Sequence, residues 1–144
     1  MEIRAEQNMA ADQVRQAAAR LVAHFAAHET EAYFACFAAD AQFIFYTHPV
    51  PLTDRADYQA LWRQWEEQAG FRVLACQSSE ARVTIRGGIG LFTHKVQTRL
   101  LMEGVEQVVH ERETILFQQD QSGNWLAVHE HLSPLAPMPF TLGS

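Results

Sequence analysis

Gly123-Asn124-Trp125-Leu126-Ala127-Val128-His129-Glu130-His131-Leu132-Ser133-Pro134 closes the recognisable part of the chain. The polar turn at 120–123 opens this stretch and Pro134 ends it, so it reads as one strand of limited length. Period-two alternation sends Trp125, Ala127, His129, His131 and Ser133 to one face. Leu126, Val128, Glu130 and Leu132 go to the other. Each face mixes apolar and ionisable groups. Either both faces of the sheet are occupied, or one lines a pocket and the other an interface.

Working back from this strand, residues 71–77, 81–86, 89–102 and 105–118 are also strand-like. Gly87-Gly88 and Glu103-Gly104 mark hairpin turns between them. The first half of the chain has a different period. From about Met9, Val14, Ala18, Leu21, Val22 and Phe25 form one apolar helical stripe. His28-Glu29-Thr30 breaks it, and Thr30 is placed to cap a short helix over 31–37. Ala38, Ala39 and Asp40 end that helix, and the β-formers of 41–46 predict a strand. Pro49 and Pro51 make the next segment a loop. Thr53 or Asp54 caps a third helix to about Gln68, with Tyr58, Leu61, Trp62 and Trp65 on its apolar face. Helices and strands are segregated, which indicates an α+β fold in one domain over 1–144, with its core at about 10–135. A sheet of that size would curl round the helices and leave a cavity.

Composition narrows the function. The apolar fraction is 48% with 10% aromatics, which excludes a disordered chain. Net charge is −6 and the 11 Lys and Arg are scattered, so no nucleic-acid partner is expected. No run is long and apolar enough for a membrane span. The first residues carry acids and no apolar core of a secretory signal, so the expected address is the cytoplasm. Cys36 and Cys76 lack metal spacing and read as free, buried thiols.

The order of elements resembles the nuclear transport factor 2-like superfamily, which includes ketosteroid isomerases, SnoaL-like cyclases and the association domain of calcium/calmodulin-dependent protein kinase II. The wording that carries the likeness is Glu113-Thr114 with Phe117, then Ser122-Gly123-Asn124-Trp125, then Val128-His129-Glu130-His131-Leu132-Ser133. It is most similar to the association-domain and SnoaL-like subgroup. The resemblance implies a cone-shaped half-barrel, three N-terminal helices packed on a curved antiparallel sheet, and a homodimer packed sheet to sheet. It also implies a concave face holding His94, Glu113, Ile115, Val128, Glu130 and Leu132, with Arg112, Thr114, His129 and His131 facing outward. The fold does not define the reaction. Ketosteroid isomerase chemistry needs a carboxylate base and a tyrosine beside a protonated acid. In the implied alignment the base position is Phe45 and the tyrosine position is Leu21; only Glu113 has a counterpart. Steroid-type isomerisation is therefore not expected.

Three constellations could carry chemistry. Glu113, Glu130 and His94 are candidate catalytic residues: two carboxylates sharing an apolar wall repel, one retains its proton, and His94 complements them. The alternative is a buried structural network. His129-x-His131, with His110 on the neighbouring strand, has the spacing of a metal pair, but the chain offers no cysteine nearby and the resemblance places these histidines at the dimer face, so structural or interfacial imidazoles are the favoured account and no metal site is expected. Tyr46 and His48 could reach a ligand from the loop after the first strand. The expected ligand is a small apolar molecule, walled by Phe45, Trp62, Val96, Ile115, Val128 and Leu132. No cofactor is expected, because no phosphate-cradling, nucleophile-elbow or paired-cysteine motif occurs. Two functions stay open: a small-molecule-binding lyase or isomerase, and a non-catalytic oligomerisation or ligand-sensing module.

Overall fold

Val14, Ala17, Ala18 and Leu21 follow helical spacing, and all are at most 5% exposed in the computed structural model. The structure describes residues 2–135, so residue 1 and residues 136–144 of the expected domain lie outside the described residues. The elements are α1 (Glu2–Ala26), α2 (Thr30–Ala35), β1 (Phe37–Phe45), α3 (Arg55–Ala69), β2 (Arg72–Arg86), β3 (Ile89–Met102), β4 (Val105–Gln119) and β5 (Trp125–Pro134). Helix α1 starts earlier than the apolar stripe does. Its first turns are built of good helix formers with no breaker, and an exposed turn needs no apolar face to be helical.

Helix α2 is shorter than expected. Its N-cap is Glu29 without a side-chain cap bond, and Thr30 is already the first helical residue. Phe37 belongs to β1, not to the helix. Phe37 and Ala41 are fully buried, and this burial draws the intervening small residues into the strand despite their helical propensity. Helix α3 has firm ends. Asp54 accepts from the Asp57 N–H at 2.8 Å, and Gly70 closes the helix at φ +61°, a conformation that costs glycine least.

The sheet order is β1-β5-β4-β3-β2. From β2 to β5 it is the expected antiparallel meander, but β1 joins β5 in parallel. The chain leaves β1, makes α3, and returns to it as β5 only after three intervening strands, so the two strands can run parallel. The two segments expected at 71–77 and 81–86 are one strand. They are joined through a bulge between Ser79 and Arg82, with Glu80 at φ +52°. A second bulge lies in β5: Leu116 pairs with His129 and Phe117 with Ala127, so Val128 is the extra residue. These bulges help the sheet curve around the helices.

Between sheet and helices lies an aromatic core of Tyr33, Phe34, Phe37, Phe43, Tyr58 and Trp62, each at most 4% exposed. Tyr58 stands with its ring centroid 4.7 Å from Phe43 and 4.9 Å from Phe34, both in edge-on geometry. Burying such a side chain stabilises by roughly 1.5–3 kcal/mol. Helix α1 approaches β3 so closely that a Cβ on Gly90 would sit 2.6 Å from Val14 Cγ2. The core is thus dense at one end, and the space in the cone is at the other.

Candidate functional site

Alternation along β3 points Phe92, His94, Val96 and Thr98 inward. On β4 the same rule brings Glu113 and Ile115 to the inner face, with Glu111 next along it. Antiparallel register sets His94 opposite Glu113, and Ile115 opposite Glu130 of β5. Glu130 therefore lies diagonal to Glu113, within reach of its carboxyl.

Two connected hollows follow from this geometry. The deep one, about 50 Å³, is lined by Leu21, Val22, Phe25, Tyr33, Tyr58, Cys76, Val96, Thr98, Glu111, Glu113, Glu130 and Leu132. The outer one, about 320 Å³, shares Phe25, Tyr58, Thr98, Glu111 and Leu132 with it. Phe45, Tyr46, Trp65 and Phe71 add an aromatic rim, with Thr47 beside them. Together they form a cone whose mouth is apolar and whose floor carries carboxyl groups.

Glu130 is 2% exposed, and its Oε1 has no polar partner among the described residues. Burial pushes its carboxyl well above the usual carboxylate range; the negative charge of Glu113 and a hydrogen bond to it push the same way. Burial also pushes Glu113 up, but hydrogen bonds from Glu130 and His94 outweigh it and hold Glu113 below the usual range. The pair thus holds one proton, on Glu130, which donates it towards an ionised Glu113. His94 Nε2 is 2.6 Å from Glu113 Oε1, and its Nδ1 is 2.6 Å from Ser78 Oγ, so the ring is held at both ends.

A second polar pair faces the dyad from the helices. The Tyr33 and Tyr58 hydroxyls are 2.9 Å apart and buried. Desolvation, then the charge of Glu130, keeps both phenols protonated far above neutral pH. At the mouth, the half-exposed Tyr46 donates to Glu111 Oε2 at 2.7 Å. Burial and this bond push Tyr46 up to about 12, and burial also raises Glu111. Cys76 is raised to about 11, chiefly by burial, and remains a thiol.

The expected site residues thus divide. Glu113, Glu130, Val96 and Leu132 line the deep hollow, and Phe45 and Tyr46 line the mouth. His94 touches the dyad from behind. Ile115 and Trp62 are buried in the core rather than on the cavity wall, at 0% and 1% exposure. Neighbouring Tyr58 and Trp65 present α3 to the cavity instead. His48 is half-buried but does not line the cavity. Val128 does not line it either: the bulge turns it aside and gives its expected place on the inner side to Ala127, which is fully buried. Downstream of the bulge the expected faces hold, with Glu130 inside and His131 exposed. His110 lies level with Leu135, well along β4 from Thr114, the partner of His131, so it does not complete a triad with His129 and His131. Cys36 and Cys76 are free and half-buried.

Tyr33, Glu111, Thr98 and Cys76 were not selected from the sequence. Tyr33 sits on a six-residue helix too short for a periodicity to show its facing. Glu111 shares the i, i+2 alternation with Glu113, which was the available signal.

A curved sheet packed against three helices is the architecture of the nuclear transport factor 2-like class of α+β domains. The chain belongs to the SnoaL-like domain family, whose model matches residues 14–137. Among solved structures it is similar to a ketosteroid isomerase-like protein from Erwinia carotovora atroseptica, at 16% identity and a TM-score of 0.73, covering 88% of this chain and 97% of that one. It is also similar to an NTF2-like protein with a cystatin-like fold from Novosphingobium aromaticivorans, at 17% identity and a TM-score of 0.72, covering 96% and 90%. A calcium/calmodulin-dependent kinase II association-domain-like protein from Exiguobacterium sibiricum matches at 16% identity and a TM-score of 0.71, covering 88% and 93%. At these identities the likeness shows the fold alone. No curated protein matches the sequence. No helix among the described residues is long and apolar enough to cross a membrane.

Proposed function

We propose that the cone binds a small, largely apolar molecule with its polar end on the Glu113–Glu130 dyad. The observation that carries this reading is Glu130: a protonated carboxyl sealed at the cavity floor, with an oxygen left without a partner. A buried acceptor without a donor costs free energy in the empty protein and is satisfied by a bound one. As an enzyme, the pair suits a lyase or isomerase, with Glu113 taking a proton from one atom and Glu130 returning one to a neighbour. His94 positions Glu113, and the hydrogen-bonded Tyr33–Tyr58 pair leaves one hydroxyl proton to donate to a developing oxyanion. Steroid-type isomerisation is not part of this reading, since Phe45 and Leu21 supply no base or donor at the positions such chemistry uses. The free thiols support a cytoplasmic address.

Titration with phenethyl alcohol, followed by methyl NMR, tests the pocket. The Val96, Leu100 and Leu132 signals are expected to shift together in a saturable way. Shifts confined to surface methyls such as Val50, Val105 and Val108 would reject the cavity as a binding site.

A second reading concerns assembly, and the outer face of the sheet favours it. Ile44 is 39% exposed there and pairs in register with His131, which pairs with Thr114, forming a row across three strands. This row would meet its own copy in a sheet-to-sheet homodimer.

A further inference from the structure

Glu111, Glu113 and Glu130 place three carboxyl groups on one cavity wall, and no Lys or Arg is among the described residues lining either hollow. Facing them are the rings of Phe25, Tyr58, Trp65 and Phe71. Ring faces attract cations and leave anions unsupported. Glu130 Oε1 adds a sealed acceptor without a donor. The deep hollow, at about 50 Å³, has room for roughly three or four waters, or for one ammonium group with its adjoining methylene.

Granting the ligand pocket proposed above, we infer that its occupant is an organic cation: an amine on an aromatic or branched aliphatic body, its ammonium between Glu113 and Glu130 and its body under Phe25, Trp65 and Phe71. An ammonium has donors enough for Glu130 Oε1 and for Glu113 at once. Its positive charge also changes the balance at the dyad. Glu130 holds its proton because burial disfavours its charge and Glu113 and Glu111 of β4 oppose it, while Cys76 of β2, Tyr33 of α2 and Tyr58 of α3 face it uncharged. His94 of β3 is engaged with Glu113 and Ser78. A bound ammonium supplies the missing positive charge, so Glu130 ionises and its proton leaves to the buffer. Both carboxylates then flank the cation.

Calorimetric titration of the full chain at neutral pH, in two buffers of different ionisation heat, tests this with three probes of similar size: phenethylamine, phenethyl alcohol and hydrocinnamate. Phenethylamine is expected to bind at least about tenfold more tightly than the alcohol, with hydrocinnamate weakest. Binding of the amine is expected to release protons, and Glu130→Gln to remove that release. Glu111→Gln, at the half-open mouth, is expected to weaken the amine several-fold more than it weakens the alcohol; an equal loss for both probes overturns the cation inference. The alcohol binding as tightly as the amine overturns the cation inference and leaves the pocket standing. Tight amine binding without proton release overturns the seat at Glu130. If none of the three probes binds, the inference and the pocket fall together.

Discussion

Glu130 is where charge, burial and fold meet in a single residue. Its proton is retained in the folded protein and lost more easily in the unfolded chain, whose carboxyl titrates near the usual 4.5. Between 4.5 and the raised native value the folded state therefore binds more protons than the unfolded one. Stability must fall as pH rises through that window. Glu113 is shifted the other way, and its contribution is lost as pH falls through its native value, below 4.5. Glutamine at 130 keeps a donor towards Glu113 but cannot ionise. Glu130→Gln is thus expected to gain stability over the wild type at pH 8 and to lose that gain towards pH 4, as read from urea midpoints. A difference that does not change with pH would remove the protonated Glu130 from the account. At this scale the sequence was partly legible. Alternation and family wording selected Glu113, Glu130 and His94, whereas Tyr58 fits core spacing as well as it fits a site, and Tyr33 stands on a helix too short to show its facing.

Secondary elements are joined here by side chains that the chain's periodicity does not advertise. The break at 28–30 reads only as a helix end, yet His28 ties three elements together. It sits at φ +55° in the turn after α1. Its Nδ1 accepts from the Val73 N–H of β2 at 2.9 Å, which leaves Nε2–H to donate to Glu66 Oε2 of α3 at 2.7 Å. The ring also lies 5.0 Å from Trp62 and 5.5 Å from Phe71, centroid to centroid. Removing it leaves a backbone donor without a partner and a hole beside two aromatic rings. His28→Ala is expected to cost about 2–4 kcal/mol in chemical denaturation. It should also speed amide exchange at Val73. A loss under about 0.5 kcal/mol, the scale of an ordinary surface change, would show that the latch carries little. The strands show the same contrast. Gly87-Gly88 and Glu103-Gly104 were visible as turns, because hairpins announce themselves in local chemistry. The bulges at 79–82 and at Val128 were not, because they arise where the sheet bends over the helices.

At the scale of the whole molecule, the sheet has two faces with different uses. The inner face makes the cone, and the outer one presents Ile44, Thr114 and His131, with His129 partly covered. Burial, then the nearby His131, lowers the pKa of His129, so a charge on His129 is disfavoured near neutral pH. If this face joins two copies, light scattering of the wild type is expected to give a dimer, and Ile44→Lys a monomer with the same circular dichroism. A wild-type monomer at tens of micromolar would end that reading. The sequence by itself determined the element order, the α+β class and the family, because apolar period, turn residues and strand wording are local properties of the chain. Alternation also set Glu130 on the opposite face of β5 from His129 and His131, and the family likeness turned that face inward. Only the tertiary structure decided that β1 joins β5 in parallel, that Val128 leaves the cavity to Ala127's side, and that the tyrosines of two different helices meet over the dyad. Those outcomes depend on how separate elements pack, on distances between residues far apart in the chain, and no local pattern contains them.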